Sequence, residues 1–206
     1  MVDNINNTKI DIISLYRNKY LGQFHARQIA RLIGKSHVGI APHLKEFEKD
    51  KILIPEEIGK SKVYSLNLHN NKGREYLSFA EKKESLELLN KEIFIKKLYD
   101  ECINIEVNGC LILFGSYASK KNTEKSDIDL LYLGDLEDSE IKKIRELGKA
   151  YDKEIHLVSM SIKQFREQLS KQGALVKETV NNHIILYNHD IFINEVWRYY
   201  NERKER

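Results

Sequence analysis

Apolar residues along this chain recur at two different periods, and the change of period marks out its elements. Over the first 50 residues the spacing is helical. Ile10, Ile12, Ile13, Leu15 and Tyr16 form one stripe; Ala26, Ile29, Ala30, Leu32 and Ile33, led by Phe24, form a second; Ile40, Leu44 and Phe47 form a third. Gly34 predicts the end of the second helix and Ser36 the cap of the third. Pro42 is expected near the first turn of that third helix, where a missing N–H is tolerated. The period then shortens to two. Ile52-Leu53-Ile54 and the run from Glu56 to Leu66 flank Gly59-Lys60 and predict a β-hairpin.

Residues 69–106 return to a helical period and are highly charged, with Leu77, Leu89, Ile95 and Leu98 among the apolar positions. Two helices are expected there, and their stripe serves core packing or a dimer contact. Cys110 to Phe114 is a short continuous apolar run, as expected of a buried strand. A second strand carries Ile128 and Leu130. Ser139 begins a helix with Ile141, Ile144 and Leu147, whose end Gly148 weakens. A strand from Glu154 to Ser159 follows, then a helix capped by Ser161 with Phe165 and Leu169. Ala174 to Val180 is short and apolar, Asn182 to Tyr187 reads as a closing strand, and Ile193, Val196, Trp197 and Tyr200 mark a final helix. The order predicts an α/β domain with a small mixed sheet over 107–206, a helical linker over 69–106 and a small helical domain with a hairpin over 1–68.

Composition narrows the class. The chain has 206 residues, 32% charged and 41% hydrophobic, which is ordinary for a soluble globular protein. No apolar run approaches the roughly 18 residues of a membrane-spanning helix, and the N-terminus has no signal-peptide profile. Cys102 and Cys110 lack metal-ligand spacing and read as core thiols, which fits a reducing cytoplasm. The net charge of +3 is unevenly spread. Residues 1–68 hold 11 Lys and Arg against 7 Asp and Glu, whereas the remainder holds 23 against 24. The excess positive charge points to nucleic acid as a partner of the N-terminal part.

The candidate chemistry lies in Phe114 to Leu131, FGSYASKKNTEKSDIDLL. Gly115 permits a sharp turn, and Ser116 can cap a helix whose free N–H groups attract phosphate. Asp127 and Asp129 sit two apart on a strand, so their carboxylates share a face while Ile128 and Leu130 take the other. Paired carboxylates repel unless a cation lies between them, and Mg²⁺ combines one or two carboxylates with water and substrate phosphates.

Gly115-Ser116, a gap of ten residues and Asp127-x-Asp129 together resemble the signature of the minimal nucleotidyltransferases of the DNA polymerase β-like superfamily. The resemblance implies that Gly115 and Ser116 hold the phosphates of a nucleoside triphosphate, ATP being the expected one. Asp127 and Asp129 would bind Mg²⁺, or Mn²⁺, as an acceptor hydroxyl attacks the α-phosphate and pyrophosphate leaves. Such enzymes carry a third carboxylate on a later strand, where this chain has His156, with Glu154 on the same face. His156 suits Mn²⁺ or Zn²⁺ better than Mg²⁺, and either residue could act as general base. Relatives modify antibiotics, RNA ends and proteins, so a protein acceptor is one expectation.

The N-terminal order of three helices and a basic hairpin resembles a winged helix-turn-helix domain. On that resemblance His37, His43 and Lys45 face double-stranded DNA, and Lys60 and Lys62 lie on the wing. Two functions compete: a metal-dependent nucleotidyltransferase with a DNA-binding wing, and a DNA-binding regulator whose transferase domain only senses nucleotide.

Overall fold

The computed structural model describes residues 6–59, 61–104 and 108–204. The chain forms two compact units, Met1–Glu81 with Tyr200–Arg206, and Lys82–Tyr199. The division falls within helix α4 (Asn71–Lys91), inside the segment whose sequence suggests a linker. Among the described residues no helix is long and apolar enough to cross a membrane.

The first unit contains α1 (Asn7–Ser14), β1 (Gln23–His25), α2 (Ala26–Leu32), α3 (His37–Lys49), β2 (Leu53–Ile58) and β3 (Ser61–Leu66). Ile12, Ile13, Ile29, Ile40, Leu44 and Phe47, all predicted from the helical stripes, are buried together with Tyr16 and Phe24. Ser36 caps α3 by accepting from the Gly39 N–H at 3.0 Å. The hairpin forms as expected, with Gly59 at φ +63°. A short strand β1, unseen in the sequence pattern, pairs with β3 and makes the sheet three-stranded in the order β1-β3-β2. Three residues give too little alternation to reveal a strand. Pro42 stands deeper in α3 than expected, in its second turn. It withholds a donor from the Val38 carbonyl, but Val38 lies at the exposed start of the helix, where water can substitute. An ion pair and an aromatic contact close this unit: the buried Arg17–Glu81 pair at 2.8 Å, and Tyr20 stacked on Tyr200 with ring centres 5.2 Å apart.

In the second unit, α5 (Ile93–Asn104) precedes β4 (Cys110–Phe114), the single-turn α6 (Gly115–Ala118) and β5 (Ile128–Leu133). Then come α7 (Asp138–Ala150), β6 (Ile155–Met160), α8 (Ile162–Lys171), α9 (Ala174–Asn181), β7 (Ile184–Tyr187) and α10 (His189–Lys204), whose last residues join the first unit. The mixed sheet has the order β6-β5-β4-β7, with β5 and β6 parallel and the other pairs antiparallel. All of β4 is buried, as its unbroken apolar run requires. Cys102 and Cys110 are buried free thiols within this unit. Burial pushes the Cys102 thiol up to about 12, so it stays protonated and inert at neutral pH.

Helix α7 differs from its sequence pattern at both ends. Helix α7 starts at Asp138, one residue before Ser139, because the Glu137 N–H donates to the Glu140 carboxylate at 2.8 Å. Gly148 does not weaken the end of α7. It is buried within the helix, and a Cβ there would stand 2.5 Å from the Lys153 carbonyl oxygen and 2.9 Å from Ile155 Cγ1. The missing side chain lets the chain double back closely into β6. Gly148→Ala should therefore destabilise the protein by about 1–3 kcal/mol through overpacking, despite a gain of about 1 kcal/mol in helix propensity. Urea denaturation measures this, and a higher midpoint for the alanine variant would refute the packing argument.

Candidate active site

Strand register assembles the polar edge of the second unit. Phe114 on β4 pairs with Asp129 on β5, and Asp129 pairs in turn with His156 on β6. Gly115, immediately after β4, therefore lies beside the Asp129 side chain. It adopts φ +67°, and a Cβ at this position would stand 2.2 Å from Asp129 Oδ2. Glycine is needed twice over, for the backbone conformation and for the space. Asp127 precedes the first strand residue and is exposed; Ile128 between the two aspartates is fully buried, and Asp129 is half-buried.

The sequence-predicted acidic residues come together around His156. Its Nδ1 lies 3.4 Å from Asp129 Oδ1 and its Nε2 lies 3.1 Å from Glu154 Oε1. Donor atoms of Asp127, Glu154 and His156 all lie within 4.8 Å of one another. Two carboxylate oxygens and an imidazole nitrogen make a donor set that a divalent cation fits, and the nitrogen favours Mn²⁺ or Zn²⁺ over Mg²⁺. The Glu154 carboxylate holds the imidazole pKa above its ordinary value; burial pulls the other way, and Asp129 and Asp127 add smaller upward contributions.

Two further residues shape the turn. The Gly115 carbonyl accepts from the Ser119 N–H at 3.1 Å, from Ser119 Oγ at 3.0 Å and from Asn182 Nδ2 at 3.1 Å. A trans peptide unit is planar, so anchoring this carbonyl fixes the Ser116 N–H in the opposite direction. Asn182 carried no sequence signal for such a role, because its partner lies 67 residues away and only the fold joins them. In the ten-residue gap, Lys120 is held by Glu84 at 2.7 Å.

In the first unit, the residues expected to face DNA divide. His37, Lys45 and Lys62 line one groove of about 980 Å³, together with His25, Arg27 and Arg31, which the sequence reading did not single out. His43, half-buried, does not line that groove, and Lys60 lies outside the described residues. Glu48 stands in the groove and meets Lys62 at 3.3 Å. Arg27 and Arg31 are four apart on α2, a helical spacing that could have revealed them.

Residues 95–191, less than half of the chain, match the family model described as polymerase beta, nucleotidyltransferase. A nucleotidyltransferase-type function is what that similarity supports. No curated protein matches this chain. A solved structure described as "Crystal structure of the toxin-antitoxin with AMP-PNP" is 21% identical, with 56% of this chain and 91% of that chain covered and a TM-score of 0.34. Overlap at that level has no bearing on fold or function.

The His156 geometry makes a direct prediction for the metal-free protein. By NMR titration the imidazole should lose its proton above the ordinary histidine range, and Glu154→Gln should lower that pKa. An unchanged titration in Glu154→Gln would rule out the carboxylate as the cause.

Proposed function

We propose that the second unit transfers a nucleoside monophosphate from a nucleoside triphosphate, ATP being the expected donor, to an acceptor hydroxyl. The observation that carries this reading is that donor atoms of Asp127, Glu154 and His156 lie within 4.8 Å of one another, while His156 also meets Asp129, whose carboxylate lies against Gly115. The Gly115-Ser116 backbone binds the terminal phosphates, with the Ser116 N–H directed by the anchored Gly115 carbonyl. Asp127 and Asp129 would hold the divalent cation, and Glu154 and His156 stand within reach of it where a third aspartate would be. Mg²⁺ or Mn²⁺ bound there neutralises charge developing on the phosphates. The acceptor oxygen attacks the α-phosphorus in line, the bond to the β-phosphate oxygen breaks, and pyrophosphate leaves with its electron pair. The acceptor proton passes to the Glu154–His156 pair.

The first unit, on this reading, is a winged helix-turn-helix module that binds double-stranded DNA. What supports it is the groove of basic residues from α2, α3 and β3. A second reading, a DNA-binding regulator that senses nucleotide without turnover, is favoured by the imidazole standing where relatives carry a carboxylate.

Labelled ATP, Mn²⁺ or Mg²⁺ and a cell extract distinguish the two. Asp127→Asn should lower label transfer at least about a hundredfold. Absence of transfer by the parent protein, with nucleotide-dependent DNA binding, would favour the regulator instead. Asn182→Ala should raise the KM for ATP about tenfold or more through loss of the anchored turn, with Asn182→Gln restoring part of it; equal KM values would remove Asn182 from phosphate binding. For the first unit, Lys45→Ala with Lys62→Ala should reduce the log–log salt dependence of duplex binding by about 2. An unaltered slope would show that this groove does not contact phosphates.

A further inference from the structure

Helix α3 of the first unit buries one face and leaves the opposite one bare. Ile40, Leu44 and Phe47 are buried. Opposite them, at spacings of four, three and four residues, Val38, Pro42, Lys45 and Lys49 form a single exposed stripe. No carboxylate stands in that stripe. Glu46 is held by Lys9 at 2.6 Å, and Glu48 accepts from Lys62 at 3.3 Å and from the Tyr64 hydroxyl at 2.7 Å. His37, Ala41 and Lys45 also line the basic groove beside α2. Val38 is the anomaly in this setting. It is 81% exposed, more than any other large apolar residue described.

The fold gives a valine no reason to be there. It buries nothing, and a β-branched side chain is a weaker helix former than alanine, lysine or glutamine. Gly39, next in the chain, has no side chain, which leaves the valine methyl groups open to a partner. A phosphate backbone offers those methyl groups no match. The base edges of the major groove offer one, the 5-methyl of thymine. We infer that α3 reads double-stranded DNA through Val38, which packs against a thymine 5-methyl and selects T·A at that position of the site. This inference rests on the DNA-binding reading of the first unit given above. Lys45 lies seven residues on, about 10 Å along the helix axis, where it can take a phosphate or the O6 and N7 of a guanine. The cations of groove and stripe then supply affinity without regard to sequence, and Val38 supplies discrimination. A protein partner is the poorer fit. Valine is under-represented among the residues that anchor interfaces, and lysines such as those farther along the stripe are depleted from interface cores.

The test is selection of duplexes from a random pool by the full chain, followed by exchange of each thymine of the recovered site for deoxyuridine. The exchange removes one methyl group and leaves base pairing intact. At one thymine it should weaken binding by the parent protein about fourfold, the worth of one buried methyl group. Val38→Ala, at an exposed position that leaves the core untouched, should bind the thymine and deoxyuridine duplexes alike. Val38→Thr keeps one methyl group and should restore part of the difference. If no exchange weakens binding, or if Val38→Ala keeps the parent's preference, the inference is wrong. It is equally wrong if the pool is bound with no common sequence, an outcome that leaves phosphate contact by the groove standing. A Val38→Ala variant altered only in sedimentation would place the valine against a second copy of the chain and overturn it too. Failure of the underlying reading is distinct: the parent protein then retains no duplex at any salt concentration.

Discussion

The second unit is organised around a steric fact: the Asp129 carboxylate occupies the space where a side chain at position 115 would stand. That approach fixes the end of β4 against β5. Because β5 also pairs with β6, it brings His156 and Glu154 to the same edge. Three carboxylates and an imidazole then crowd together, an arrangement that is costly unless positive charge compensates it. Protonated His156 can supply that compensation within the chain, and a divalent cation can supply it from outside. The turn, the acidic pair and the later strand are thus parts of one constraint.

The charge balance of the second unit illustrates how averages conceal local order. The segment after residue 68 is close to neutral in sum. Asp127 and Asp129 nevertheless meet Glu154 and His156 at the start of β5, while Arg145, Lys149 and Lys153 line a groove along the start of β6. Opposite fields lie within one strand's length of each other.

Most of the element order was legible because the chain keeps long periodic runs: the α3 stripe, the unbroken β4 and the capped α8 all announced themselves. The Asp127-x-Asp129 spacing was visible in the same way, although Asp127 stands one residue before β5 and its donor atoms group with those of Glu154 and His156. What escaped depended on contacts between distant segments. Strand β1 is defined only by its pairing with β3, Gly148 by the return of residues 153–155, and Asn182 by a carbonyl on the far side of the unit's sequence. The N-terminal residues expected to act together divided between groove and surface, because a helix presents only some of its positions to any one neighbour. Lys45 and His37 share a face that His43 does not.

The stacking of Tyr20 on Tyr200 has a consequence for biogenesis. The first unit draws on residues from both the early and the late parts of the chain, with the whole second unit encoded between them. On the ribosome the early helices and hairpin lack the aromatic partner that covers Tyr20 until residue 200 has emerged. Premature termination within α10 would leave a complete second sheet but an N-terminal unit with an uncovered tyrosine, a ready target for quality-control proteases.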